Sequence, residues 1–527
     1  LVNNTTASNN TAIGKDALAT NTTGPNNTAT GYKALLSNTT GSENTSVGKD
    51  SMMTNTTGSG NVAMGHQSLE NNTTGGSNVA LGRYALESNT TASENTAVGY
   101  RAAYENTTGS KNVAVGTQAL DTNTSAGNNT AIGYKALFLN TTGGANTAVG
   151  LEALQSNTTA ANNTAIGRGT LQNNTTGTGN SAVGYESINA NSTGSYNTAV
   201  GQTALEKNTT ADSNTAFGTS ALRNTTTGAN NTSVGRNSLL ANTTGAENTA
   251  VGMFAGENNT TGNNLVAVGY EALESNTTGA NNVALGVYSL RDNTTASDNT
   301  AIGQNALLVN TTGANNTGIG QAALMSNTTG SHNTCIGLQA GRYIVGNTTG
   351  NSNTIIGAYS RASIVNAQSQ IVLGVDVVGQ GNNHFVFGKL NNRVYNDFST
   401  NASWNRSSDE RKKTEIADAT LGLDFVNDLS TKTFKWKRSQ DIPNTLNDYD
   451  ADVNHMDTDV VMHGMLAQDV KAALDTAGVT TFGGWAEESD GSQSLSQEMF
   501  IYPLIKAIQE LSAKNDAFEA RITALEG

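Results

Sequence analysis

Cysteine occurs once in 527 residues, proline three times, and aromatic residues make up 5% of the chain. The lone thiol, Cys335, excludes an intrachain disulfide framework and a cysteine-rich zinc site, and its apolar repeat position reads as small core filler. Scarce proline and only 13% charged residues separate the chain from disordered polypeptides, which are rich in one or the other. The hydrophobic share, 36%, is thin for a large conventional core. No apolar run approaches the ~18–20 residues that span a bilayer as a helix, so no membrane insertion is expected. With a net charge of −14 the chain lacks the basic stripe that nucleic-acid binding needs, and no such partner is expected. Residues 1–360 carry 13 basic and 18 acidic side chains against 15 and 24 in the remainder, so the acidity belongs mainly to a different C-terminal module. The opening on Leu1 rather than Met leads us to expect a longer parent chain, and a missing signal peptide then carries no information.

What is abundant is asparagine, threonine and glycine in strict register. A glycine preceded by a small and then an aliphatic residue recurs at Gly14, Gly31, Gly48 and so on to Gly337, always 17 residues apart, giving 20 copies. One copy reads approximately N-T-A-[VI]-G-x-x-A-L-x-x-N-T-T-G-x-x. Unbroken spacing means one physical turn per copy, because an insertion would shift every stacked contact beyond it. The N-T-A-V segment alternates with period two, a strand pattern with Thr and Val on one side and Asn and Ala on the other. Glycine and N-T-T-G supply corners. Asparagine and threonine stacked turn upon turn form hydrogen-bonded ladders, which also explains the near-continuous N-x-T sequons at Asn4, Asn21 and Asn38 without invoking glycosylation. Two large apolar residues per turn, such as Ile13 and Leu18, bury too little surface to offset the ordering of 17 residues. A homotrimer around a shared axis is therefore expected. The unit resembles the head repeats of trimeric autotransporter adhesins, which form left-handed parallel β-rolls, and more closely the N-T-A-V-G-Y-x-A-L…N-T-T-G arrays of phage tail fibres.

Beyond Gly337 the equivalent glycines are Gly357, Gly374 and Gly388, at steps of 20, 17 and 14. Residues 341–407 are expected to form an irregular distal β region following a shaft over 1–340. Its aromatic residues Phe385, Phe387, Tyr395, Phe398 and Trp404 are candidates for a carbohydrate-binding tip, or plug the end of the roll. Tyrosines just after repeat glycines, such as Tyr32, Tyr100 and Tyr270, read as outward decoration.

From Ser407 the sequence changes character: S-S-D-E-R-K-K-T-E-I, then L-G-L-D-F-V-N-D-L-S-T-K-T-F-K-W-K, H-G-M-L-A-Q-D-V-K-A-A-L and Y-P-L-I-K-A-I-Q-E-L. On the residues alone, S-S-D-E-R is a helix N-cap with acidic residues in the first turn. The four blocks in this order resemble the intramolecular chaperone auto-processing domain at the C-terminus of phage endosialidases and tail spikes. This chain departs from it in Lys412, where Leu is usual, and in a longer acidic insert around 441–459. The resemblance implies a small α+β folding clamp over 408–527 that aligns three chains and then cuts itself off. It implies that Ser408 and Lys413 are catalytic, that Asp409 and Glu410 support them, and that the cut falls at Ser407–Ser408 or, second, Ser408–Asp409. A partly shielded lysine that loses its proton would activate the serine hydroxyl. Apolar residues at helical spacing from Ile501 to Leu525, interrupted by the polar stretch 512–516, indicate an amphipathic helix that closes as a coiled coil. His455 and His463 have no ligand partners at suitable spacing, and the glycines follow a period of 17 rather than a phosphate loop, so neither metal nor cofactor is expected.

The expected class is thus mainly β, a parallel β-solenoid followed by a chaperone domain. The expected role is a phage tail fibre on the outer face of a virion, binding a host surface receptor, a glycan by preference, and contacting other tail components. A bacterial surface or secreted adhesin is the alternative. An ice-binding solenoid and a polysaccharide depolymerase rank below these, the latter for want of a carboxylate pair.

Overall fold

The computed structural model describes residues 3–342, 348–390, 392–397, 408, 410–454, 456 and 458–527, the Lys412 side chain excepted. The chain divides into two compact units, Leu1–Arg406 and Ser407–Gly527.

In the first unit every repeat contributes one three-residue strand, from β1 (Thr11–Ile13) to β20 (Thr334–Ile336). Each pairs in parallel with its successor one period on: Thr11 opposite Thr28, Ala12 opposite Ala29, Ile13 opposite Thr30. The 17-residue repeat is one turn of a parallel β-solenoid. Strands β21 (Thr354–Ile356), β22 (Ile371–Val375) and β23 (His384–Lys389) continue the same ladder. The irregular steps are absorbed in loops, since Thr334 still faces Thr354 and Gly374 faces Gly388. The coil therefore runs well past residue 340. Strand β24 (Asn392–Asp397) then folds back antiparallel on β23.

Strand alternation decides what the coil holds. The strand alanine, the leucine four residues after the glycine and the small residue before that leucine are buried in nearly every turn. The aliphatic residue before the glycine points outward, from Ile13 at 61% exposed to Val251 at 38%. The expected two large apolar residues per turn are therefore one inside and one outside. Cys335 sits in the alanine column between Gly318 and Ile355, fully buried, and burial pushes its thiol pKa up.

Asparagine fills much of the remaining interior. In one column each amide bridges turns: Asn55 Nδ2 donates to Asn38 Oδ1 at 2.9 Å and to Gly58 O at 3.0 Å. In the other, Asn27 Oδ1 accepts the Asn44 backbone N–H at 3.0 Å, while Asn44 Nδ2 donates to Gly58 O at 2.9 Å. Threonine hydroxyls add a third ladder on the flank, as from Thr39 Oγ1 to Thr56 O at 3.1 Å. Buried amides satisfied in this way cost the fold little. Asn21 and Asn38 are buried, so these sequons are structural.

Corners are made by unusual backbone. Three non-glycine positions per turn take positive φ, for example Lys135 at 54°, Leu137 at 52° and Ala145 at 56°. The repeat glycine is more constrained still. At Gly133, φ is 136°, and a Cβ there would lie 2.3 Å from the carbonyl oxygen of Gly150 in the next turn.

The second unit comprises α1 (Leu423–Asp428), β25 (Lys432–Phe434), β26 (Met462–Gly464), α2 (Ala467–Thr476), β27 (Trp485–Glu487), β28 (Gln493–Leu495) and α3 (Ile501–Glu526). β25 pairs antiparallel with β26, and β27 with β28. Leu421, Phe425, Val470, Ala473, Leu474 and Phe500 form a small core. Helix α3 runs unbroken for 26 residues, so the polar stretch 512–516 interrupts the apolar series and not the helix. No described helix is long and apolar enough to cross a membrane.

Candidate functional site

The start of the second unit is a short 3-10 turn over Glu410–Lys412. It is closed by the Lys413 N–H donating to Glu410 O at 3.0 Å. The turn brings the side chain five residues after Ser408 back upon it, and Lys413 Nζ donates to Ser408 Oγ at 2.7 Å. That is the geometry in which a lysine takes or gives a hydroxyl proton. Both residues are exposed on the single chain. Glu410 lies in the turn and is exposed. Ser407 and Asp409 lie outside the described residues.

Within the second unit a polar bridge joins distant parts of the chain. Glu510 on α3 accepts the Leu423 N–H through Oε2 at 2.7 Å, capping the first turn of α1 as a side-chain acceptor does at a helix start. Gly422 lets the carboxylate approach, since a Cβ there would sit 2.4 Å from either Glu510 oxygen. The sequence carried no sign of this contact. The acidic insert is tied down as well: Asp490, in the turn between β27 and β28, accepts the Asn447 N–H at 2.8 Å. It also accepts from the Ser492 hydroxyl and N–H, and these bonds, the hydroxyl's first, lower its pKa to about 2.

Of the aromatic candidates, Phe385, Phe387 and Tyr395 lie on the β23–β24 hairpin, the two phenylalanines on one face and Tyr395, opposite Val386, on the other. Phe385 and Phe387 ring centroids lie 5.8 Å apart, and Tyr395 lies 5.9 Å from His384. Tyr395 packs against the core of the coil, whereas Phe387 is 40% exposed. Phe398 and Trp404 lie outside the described residues, as does His455. No group of three His, Cys, Asp or Glu positioned for a metal occurs among the described residues.

Residues 408–479 match the family described as Chaperone of endosialidase. The match opens on Ser408, the hydroxyl that Lys413 contacts. No curated protein matches the chain. The chain joins a β-solenoid of 17-residue turns to a C-terminal chaperone-of-endosialidase domain, a combination that fits a tail-fibre or endosialidase-type protein.

Proposed function

We propose that this chain is a trimeric phage tail fibre whose chaperone domain aligns three copies, lets the solenoid form, and is released by cleavage at the Ser407–Ser408 bond. The observation that carries the reading is the 2.7 Å contact from Lys413 to Ser408 at the first residue of the chaperone match. Packing of neighbouring copies around the exposed pair desolvates Lys413, its neutral amine takes the Ser408 proton, and the oxygen attacks the Ser407 carbonyl. The C–N bond breaks as the Ser408 nitrogen takes that proton from Lys413, and water hydrolyses the resulting ester. Coupling the cut to assembly in this way restricts it to chains that have already associated.

Association is supported by two apolar surfaces left open on one chain. The residues before the repeat glycines form an outward column, exposed at Ile132, Ile166, Phe217 and Ile302 and half-buried in other turns, as at Val98 and Val115. At ~4.8 Å per turn it extends roughly 95 Å, and monomers rarely expose so large a continuous patch. On α3, Ile501, Leu504, Ile508, Leu511, Phe518, Ile522 and Leu525 are exposed; with Asn515 counted between Leu511 and Phe518 they alternate by three and four, a coiled-coil seam. A second copy of this chain presents the same two stripes and so covers both. The distal hairpin with Phe385, Phe387 and Tyr395 is the proposed receptor contact, Phe398 and Trp404 following it in the chain. A bacterial surface adhesin would use the same parts.

Cleavage is tested by expressing the full chain beside Ser408→Ala and Lys413→Arg. The wild type should yield fragments 1–407 and 408–527 on a denaturing gel, and both variants should stay whole. Wild type and variants all running at full length would refute the processing.

A further inference from the structure

Two columns of the coil vary freely from turn to turn: the residues just after the repeat glycine and the fifth residue beyond it. Between Gly65 and Asp121 they gather a patch that the coil itself does not require. The Tyr84 ring stands edge-on to three others, with centroids 5.6 Å from His66, 6.1 Å from Tyr100 and 6.2 Å from Tyr104. Arg83 lies 4.5 Å over Tyr84, and Arg101 lies 4.1 Å over Tyr104. Arg101 Nη2 also donates to Asp121 Oδ1 at 2.9 Å.

Polar atoms set this patch apart from ordinary decoration. His66 Nδ1, Glu87 Oε2, Arg101 Nε and Asp121 Oδ2 are buried without a hydrogen-bond partner. Among the described residues, these are the only charged or imidazole side chains in that state, and Asp121 is fully buried. The comparable row Phe254, Tyr270 and Tyr288, ten turns on at 17 residues per turn, contains none. Buried polar atoms are normally paired, and an orphaned cluster calls for a partner from outside. That partner must pack on the open Tyr100 ring, donate to two carboxylate oxygens, and accept from guanidinium while pairing with an imidazole nitrogen. A sugar ring, with apolar C–H faces and hydroxyls that do both, meets all three demands, whereas an anion has nothing to donate. The patch covers four turns, roughly 14 Å at ~4.8 Å per turn, enough for a short oligosaccharide. A sugar on the exposed Tyr100 ring reaches the inner atoms as the Tyr104 side chain turns aside, a fast motion for side chains at a surface.

We propose that this shaft face, centred on Tyr84, Glu87, Tyr100 and Arg101, binds a neutral oligosaccharide. The site deepens the attachment reading and rests on it only in taking the sugar from a cell surface. The test uses the full chain against an immobilised panel of neutral hexose and N-acetylhexosamine oligosaccharides, and separately against bacterial envelopes. Tyr100→Ala and the isosteric Glu87→Gln should each weaken panel binding at least tenfold with unchanged melting, while Tyr196→Ala, a lone exposed tyrosine on another column, should bind as wild type. Equal binding by all variants, or no panel binding by the wild type, overturns the shaft site. If envelopes are still bound in either case, attachment stands and only this site falls; if they are not, both fall.

Discussion

At the residue scale the coil is a compromise between backbone strain and stacked hydrogen bonds. A left-handed leucine costs about 1–2 kcal/mol relative to ordinary backbone, and most turns contain such a residue, as Leu137 shows. The strain is tolerated because it turns the Leu137 N–H onto Ala153 O at 3.0 Å while its side chain enters the core. Nothing in a leucine announces this. The signal lies in exceptions to the repeat: Gly169, Gly256 and Gly60 stand at the same three corners with φ of 64°, 60° and 70°, and glycine is the residue that takes such angles freely. The asparagine ladder was legible in the sequence, because Asn recurs at fixed positions where no solvent-facing role needs it. Its depth was not, since polar residues read from sequence are normally placed at the surface. Asn140→Ala removes donors to Asn123 Oδ1 and Gly143 O and strands both acceptors in the interior. The shaft should lose about 1–3 kcal/mol, seen as a lower denaturant midpoint with unchanged slope. A loss below a few tenths would mean the ladder contributes nothing.

At the scale of elements, the strands follow directly from alternation, and the register from the period. What the sequence misjudged was sidedness: one aliphatic column was counted as core when alternation sends it outward. In the second unit, short strands and helices depend on contacts far apart in sequence, which is why the Glu510 bridge was invisible. Glu510→Ala leaves the Leu423 N–H without its acceptor and should destabilise the chaperone domain by about 1 kcal/mol, with the shaft transition unmoved in the same calorimetric scan. The Asp490 tether sets a pH window. Its folded pKa is held at about 2, below the ordinary ~3.9, so the tether is fully present above that value and is lost as pH falls through about 2. The Asn447 amide resonance should follow, with a midpoint near 2; a midpoint near the ordinary value would show the tether to be absent. Helix α3 contributes a less obvious constraint. Its seam places Ile at one heptad position, Leu or Phe at the other, and Asn515 once in the isoleucine column. Ile and Leu in that order favour two strands, and a single Asn fixes register. The threefold count proposed above therefore rests on the chaperone domain and shaft, with the helix holding copies in line.

At the scale of the whole molecule, fold and partnership are one problem. The shaft buries alanine, asparagine and a single leucine per turn, and presents the rest of its apolar surface along its length. The candidate dyad shows the same incompleteness, since Ser408 and Lys413 meet but remain in water. The sequence announced the pair only through its likeness to a known domain; on spacing alone it was a helix cap. Association would supply burial for the shaft and desolvation for the lysine together. The most direct check is sedimentation equilibrium on Ser408→Ala and on a chain lacking residues 408–527. The uncut full chain should sediment as a single species of three copies, about three times 54.3 kDa, and the truncated chain should aggregate or fail to fold. A truncated shaft that stays soluble, β-structured and monomeric would contradict the account.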